Sequence, residues 1–155
     1  YALYQSVKYV IQNNIEGDFV ECGVWKGGSS MLIARYLQIH QVRNKKLYLY
    51  DTFEGMSAPT EKDVDIKGDT AQSSLSKQDK EDDKSIWCYS ALEEVQNNLA
   101  KTQFSQENLI FVKGKVEDTI PETIPSKIAL LRLDTDWYES TLHELQYLYP
   151  LLENK

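Results

Sequence analysis

The sequence predicts an α/β fold, a three-layer sandwich around a mainly parallel sheet. Three observations lead there. Short apolar runs alternate with stretches of helical periodicity along all 155 residues, and strands separated by helices run parallel. One run, Ile128-Ala129-Leu130-Leu131-Arg132-Leu133, is apolar at five of its six positions, as expected of a strand covered on both faces. Every candidate strand also ends in glycine or acidic residues: Glu21 to Gly23, Asp51, Gly114 to Asp118, and Asp134 to Asp136. In an open parallel sheet, ligands sit beyond those ends, where the strand order reverses. Residues 1–155 are read as one domain, long enough to bury about two thirds of the unfolded surface.

Leu3, Val7, Val10 and Ile11 recur at helical spacing and predict a helix over 1–13, punctuated by Asn13-Asn14 and Gly17. Asp18-Phe19-Val20 opens a short buried strand. After the turn from Glu21 to Gly28, a helix over 29–40 carries Met31, Leu32, Ala34, Tyr36 and Leu37, with Ser29 and Ser30 placed to cap its first turn. Lys46-Leu47-Tyr48-Leu49-Tyr50 is a second strand running into Asp51. Over 57–85 apolar residues almost vanish, and 77–84 is nearly all charge. Such a stretch cannot bury a core. It reads as a long surface loop containing at most a short solvated helix, either disordered or a lid. Ser90-Ala91-Leu92-Glu93 has the form of a capping box, opening a helix with Leu92, Val95 and Leu99 on one face. Leu109-Ile110-Phe111-Val112 and residues 128–133 are the third and fourth strands. Ser140 is placed to cap a last helix bearing Leu142, Leu145 and Leu148 and stopped by Pro150.

A net charge of −7 argues against nucleic acid or anionic membranes as partners, since phosphate binding needs clustered Lys and Arg. No apolar run approaches the roughly 18 residues of a membrane span, and the N-terminus carries no signal-peptide pattern. The two cysteines, Cys22 and Cys88, make neither a disulfide framework nor a zinc spacing. A cytoplasmic setting is expected, with Cys22 as a small apolar filler.

Strand, glycine turn, helix and a second strand ending in an acid is the plan of a nucleotide-type cofactor site. The glycines admit the ligand close to the backbone and the acid holds ribose hydroxyls. The spacing Glu21-x-Gly23-x-x-x-Gly27 is not the dinucleotide pattern Gly-x-Gly-x-x-Gly. It points away from nicotinamide dinucleotides and towards S-adenosylmethionine (SAM), which has no pyrophosphate to place at a helix N-terminus. Glu21 ends an apolar strand, where a bare carboxylate is costly. It either binds the amino group or ribose of a cofactor or is satisfied by turn amides. Asp51 offers two acceptor oxygens to two adjacent hydroxyls, or caps Thr52-Phe53-Glu54. Phe53 either packs on a cofactor ring or belongs to the core. Gly114-Lys115-Val116-Glu117-Asp118 is placed to meet an adenine edge through a backbone amide and Glu117. Asp134 and Asp136 form a corner suited to a hard cation such as Mg²⁺, which takes one or two protein carboxylates and completes its shell with water or substrate oxygens. Pairing of Asp134 with Arg132, or capping of the next helix, would use the same acids otherwise. His40 and His143 read as solvated helix residues. Ten Tyr and three Trp suggest an aromatic-lined pocket or a subunit contact.

Four segments together resemble a known family. They are Phe19-Val20-Glu21-Cys22-Gly23-Val24-Trp25-Lys26-Gly27-Gly28-Ser29-Ser30, Leu47-Tyr48-Leu49-Tyr50-Asp51-Thr52-Phe53-Glu54-Gly55-Met56, Val112-Lys113-Gly114-Lys115-Val116-Glu117-Asp118-Thr119 and Leu131-Arg132-Leu133-Asp134-Thr135-Asp136-Trp137-Tyr138-Glu139-Ser140-Thr141. With Ala58-Pro59-Thr60-Glu61, they look like the macrocin (TylF-type) O-methyltransferases and, more distantly, the catechol-type enzymes. The resemblance implies a Rossmann-like class I SAM-dependent methyltransferase fold, a divalent metal ion, and methylation of a hydroxyl on a sugar or another small natural product. It would place Glu21, Gly23, Val24, Gly27 and Ser29 around the methionine part of SAM. Asp51, with Thr52 and Phe53, would lie at the ribose, and Val116 and Glu117 at the adenine. Asp134 would be the catalytic residue beside SAM and the substrate hydroxyl, and would ligate the metal together with Asp136.

Family members continue past the last helix into a Gly-Gly turn and a fifth strand ending in an Asp-Asp pair. This sequence stops at Leu151-Leu152-Glu153-Asn154-Lys155, so the resemblance leaves the cofactor half complete and the metal and acceptor half not. Two roles fit: the SAM-binding portion of an O-methyltransferase, or a non-catalytic remnant that binds SAM or a protein partner. The expected strand order, 3-2-1-4, leaves 128–133 at a bare sheet edge, which invites pairing with another chain. A homo-oligomer is expected.

Overall fold

The computed structural model describes residues 1–80, 82 and 84–153. Its elements are α1 (Ala2–Gln12), β1 (Asp18–Cys22), α2 (Gly28–Ile39), β2 (Leu47–Asp51), α3 (Ala71–Leu75), α4 (Leu92–Ala100), β3 (Leu109–Lys113), α5 (Val116–Thr119), β4 (Ile128–Leu133) and α6 (Tyr138–Tyr147). The four strands form one parallel sheet in the order β3-β2-β1-β4, the order expected.

Period-two alternation along the strands divides the core in two. Phe19, Leu47 and Leu49 face Val7 and Val10 of α1, Ile33 and Leu37 of α2, and Val95 and Leu99 of α4. Val20, Cys22 and Tyr50 face the other way, onto Val116, Ile120 and Leu148. Fully burying each such side chain contributes about 1.5–3 kcal/mol, so the two clusters clamp the sheet between helical layers. The ladder also runs on past the strands. The Gly23 amide donates to Tyr50 O (2.9 Å), Gly114 to Asp51 O (3.0 Å) and Asp134 to Cys22 O (2.8 Å). These bonds hold the first loop residues after three strands at one level beside Asp51.

Three expected caps are replaced, each for the same reason. Gly27 occupies the N-cap of α2, with Ser30 one turn inside donating to Glu21. Ala91 precedes α4, while Ser90 Oγ bonds Glu94 Oε2 at 2.9 Å. Trp137 precedes α6, and Ser140 Oγ donates to Glu117 Oε1 at 2.7 Å. In each case a carboxylate lies within reach, and a hydroxyl bond to an ionised acceptor outcompetes one to the backbone. The leucine stripe expected on α6 is also turned: Leu142 and Leu145 are exposed, while Leu148, Ser140 and Glu144 are buried. The polar bonds to Glu117 and Thr135 described below set that rotation.

Two other expectations change. Only Ile128 of β4 is fully buried: among the described residues β1 is its one strand neighbour, and at the far edge Leu152 bridges to Ile128 while the Glu153 amide donates to Ile128 O at 2.9 Å. The segment 57–85 is also not simply solvated: Leu75 is 1% exposed, and Asp63 and Ser85 are 7% exposed. Trp87 Nε1 donates to Leu75 O (3.2 Å), and Val64 bridges Thr70. Polar groups there satisfy one another, which composition alone does not reveal. Among the described residues no helix is long and apolar enough to cross a membrane.

The apolar edge of β4 has a measurable consequence. A polypeptide of these 155 residues should self-associate with rising concentration, because unpaired strand edges template pairing. Light scattering across a dilution series checks this, and a concentration-independent monomer would contradict it.

Candidate active site at the carboxyl ends of the strands

A cleft of about 290 Å³ opens beyond the strand ends. Of the residues singled out by sequence, Gly23, Asp51, Thr52, Val116, Glu117, Asp134 and Asp136 line it. Gly114 and Lys115 of the third strand end line it too, as do Tyr50, Gly55, Met56, Ser57, Cys88, Trp25, Thr135, Trp137 and Ser140. Sequence patterning missed Ser57 and Cys88, which the path of the charged segment brings to the cleft, and passed over Met56 at the end of a recognised segment. Trp25 and Trp137 lie inside the recognised segments and were passed over as ordinary aromatics.

Asp51 organises the glycine turn. Its Oδ2 accepts the amides of Val24 (2.7 Å) and Trp25 (3.0 Å), and its Oδ1 accepts the amide of Phe53 (2.7 Å). Asp51 binds the Phe53 amide as a cap would, although no helix follows it; of the roughly four acceptor sites of a carboxylate the three amides leave about one, near the Thr52 hydroxyl at 3.5 Å from Oδ1. Gly23, at φ +81, packs so tightly that a Cβ would stand 2.4 Å from the carbonyl oxygen of Asp134. The turn and the acid corner thus touch through backbone. Gly27, at φ +82, instead faces Val95 of α4, seating α2 rather than lining the cleft. Val24 contributes its amide to Asp51, Ser29 lies outside the cleft wall, and Phe53 buries its ring beside Phe111, with centroids 6.2 Å apart.

Glu21 lies behind the cleft wall, 1% exposed. Neither turn amides nor open space surrounds it. Ser30 Oγ donates to Oε2, and Arg132 Nη1 donates to Oε1 at 2.7 Å. Arg132 Nη2 reaches on to Asp134 Oδ2 at 2.8 Å, the ion pair weighed from sequence. Burial pushes the Glu21 carboxyl up to about 7, against the downward pull of Ser30 and Arg132 and helped by the charge of Asp134.

Asp134 and Asp136 both reach the cleft, and Asp136 is raised by partial burial and by Asp134. Between them Thr135 turns inward, its hydroxyl 3.0 Å from both oxygens of Glu144. Glu144 is fully buried on α6 and is pushed up to about 7, first by burial and then by Glu117, with Thr135 and Cys22 opposing. Cys22, 0% exposed in the core beside Val20 and Tyr50, is the filler expected. Glu144 went unnoticed in the sequence, where a carboxylate on an amphipathic helix reads as solvated. His143 also departs from the solvated reading, with Nε2 2.9 Å from Ile120 O. Among the described residues no group of three or more His, Cys, Asp or Glu could hold a metal ion, so Asp134 and Asp136 make at most a partial cation site.

Residues 1–154 match the family model described as macrocin-O-methyltransferase (TylF). The chain belongs to this family. Among curated members it is 36% identical, over 94% of its length, to demethyldecarbamoylnovobiocin O-methyltransferase of Streptomyces niveus, covering 52% of that protein. It is 27% identical to mycinamicin III 3''-O-methyltransferase of Micromonospora griseorubida, over 97% of the chain and 56% of that relative. The chain thus spans about half the length of the curated relatives it matches. The solved O-methyltransferase NovP superposes with TM-score 0.78 at 33% identity, covering 97% of this chain and 59% of NovP. Calicheamicin methyltransferase CalS11, at 19% identity and TM-score 0.69 over 97% of this chain and 60% of its own, shares the fold. The class I methyltransferase architecture expected from the resemblance is therefore the one observed.

The two buried carboxyls predict an unusual pH profile. A carboxyl whose folded pKa lies above its unfolded value stabilises the fold below the unfolded pKa and loses that contribution as pH rises through the folded one. For Glu21 and Glu144 the window runs from 4.5 to about 7. Glu144→Gln, isosteric and neutral, should therefore raise stability at pH 8 by about 1–3 kcal/mol and add little at pH 4.5. Urea denaturation at both values checks this; destabilisation at pH 8 would show that Glu144 is held ionised.

Proposed function

We propose that this chain forms the SAM-binding portion of a cytoplasmic O-methyltransferase acting on a hydroxyl of a sugar or another small natural product. One observation carries the choice of cofactor. The Val24 and Trp25 amides, which a dinucleotide site would aim at pyrophosphate, are already bound by Asp51. The turn is closed to a diphosphate, while Asp51 itself still faces the cleft. A ligand with a ribose diol and no phosphate suits that arrangement.

The roles follow from the walls. Asp51 would hold the ribose, with Thr52 beside it. Val116 would cover one face of the adenine, and Glu117, held by Ser140, would accept from its amino edge. Gly23 leaves room for the methionine part, with Glu21 supporting the turn from behind. SAM, when bound, supplies an electrophilic methyl group. Asp134 would orient the acceptor hydroxyl and take up its proton at the oxygen that Arg132 leaves free. Asp134 and Asp136 are hard oxygen donors of the kind Mg²⁺ uses in ones and twos, and a cation there would supply Lewis acidity towards that hydroxyl. The chain's contribution to rate is then mostly proximity in a cleft shielded from water, with 57–85 as the lid. Within this proposal residues 1–155 act as a single unit.

Calorimetry tests the cofactor. S-adenosylhomocysteine should bind and NAD should not, and Asp51→Ala should weaken the former by about 1.5–3 kcal/mol, the range for a hydrogen bond to a charged group. Preferential binding of NAD would overturn the proposal.

A further inference from the structure

Asp63 stands out in the charged segment because it is 7% exposed among residues that are otherwise mostly solvated. Its Oδ2 accepts from the Thr60 amide (2.6 Å) and the Thr60 hydroxyl (3.0 Å). Its carbonyl oxygen accepts from the Ala71 amide at 2.9 Å, and the Val64–Thr70 bridge closes the intervening turn. Asp63 therefore shapes a compact strap over residues 57–71. Its remaining oxygen, Oδ1, accepts the amide of Tyr138 at 2.8 Å.

That last bond crosses to another element. Tyr138 is the first residue of α6, and Trp137 at the N-cap makes no side-chain capping bond of its own. A helix start leaves several amides without intrahelical partners, and a carboxylate there is favoured by the helix dipole as well. Here the cap is supplied from 75 residues earlier in the chain. Two more bonds join the same surfaces: Trp137 Nε1 to Ser57 O at 3.1 Å and Lys62 Nζ to Glu139 at 2.6 Å. Ser57 and Trp137 both line the cleft, and Asp134, Thr135 and Asp136 stand immediately before Trp137. Seating the strap thus builds one wall of the cleft and fixes the exit of the acid corner in one step.

We propose that Asp63 is a positioning residue, a latch that caps α6 from the strap and thereby couples closure of residues 57–71 to the geometry of the Asp134–Asp136 corner. The coupling depends on the reading of the cleft as a SAM site only for its ligand-binding arm. Energetic coupling is reciprocal, so a ligand that needs the closed wall should tighten the latch, and loss of the latch should weaken the ligand.

Residue-resolved amide exchange with and without S-adenosylhomocysteine tests this. In the native chain, S-adenosylhomocysteine should slow exchange at both Thr60 and Tyr138. In Asp63→Ala both amides should exchange about tenfold faster or more, those of β1 and β2 should be unchanged, and affinity for S-adenosylhomocysteine should fall by about the same factor. Asp63→Asn keeps one carbonyl acceptor, which χ2 rotation can turn to either partner. It should release one of the two amides while the other stays protected, and recover part of the affinity where Tyr138 is the one kept. Should the alanine variant unfold, the split in the asparagine variant decides the matter. Faster exchange at Thr60 alone in the alanine variant, or equal release of both amides in the asparagine variant, overturns the latch. Failure of the native chain to bind S-adenosylhomocysteine would strike the cofactor proposal instead, while exchange at Tyr138 without ligand still judges the latch.

Discussion

The buried carboxylate of Glu21 is the constraint on which the site rests. A bare charge at that depth would cost several kcal/mol, so β1 can carry it only if neighbouring elements bring donors. α2 brings Ser30 and β4 brings Arg132. Ser30 sets the rotation of α2 about its axis, and Arg132 spans from Glu21 to Asp134, fixing the first acid of the corner. One ionisable group thus ties the glycine turn, the helix after it and the end of β4 into a rigid unit. Removing one partner of such a pair typically costs about 3–5 kcal/mol, comparable to truncating a large core side chain.

The same device recurs at other points around the cleft. Glu117 takes Ser140, Glu144 takes Thr135, and Asp51 takes three turn amides. An acidic composition is often read as surface solvation. Here the carboxylates serve as internal acceptors that hold loops in place where apolar packing is thin. The loops at the strand ends carry few large apolar side chains, so multidentate acceptors do the fixing that the two clusters do within the sheet.

That preference explains what the sequence disclosed and what it hid. The strands, the long helices and their order were legible because each depends on local apolar periodicity and on glycine and acid punctuation. β4 matches its expected span residue for residue. Ser30 and Ser140 look like caps by position, yet no position along a chain tells whether a carboxylate waits across the fold; for Ser90 the competing carboxylate, Glu94, stands four residues on. Glu144 and Asp63 were hidden for the complementary reason. Their burial follows from tertiary partners, Thr135 with Cys22 and Tyr138 with Thr60, that lie far away in sequence or have no periodic signature. The short α5 escaped notice because four residues leave no measurable period.

The balance of charge in the cleft follows from the same arrangement and bears on what it can accept. Asp51, Glu117, Asp134 and Asp136 stand around it, with Lys115 in the wall and Arg132 committed to Glu21 and Asp134. The crowding acts on the carboxyls themselves: after burial, the charge of Asp134 raises both Glu21 and Asp136. A cationic ligand, whether a sulfonium centre or a metal ion, would relieve that repulsion and favour the ionised carboxylates, so its binding would be linked to proton release. A neutral thioether left after methyl transfer would bring no such relief. On electrostatic grounds alone, a cleft of this charge would favour a sulfonium donor over its demethylated product.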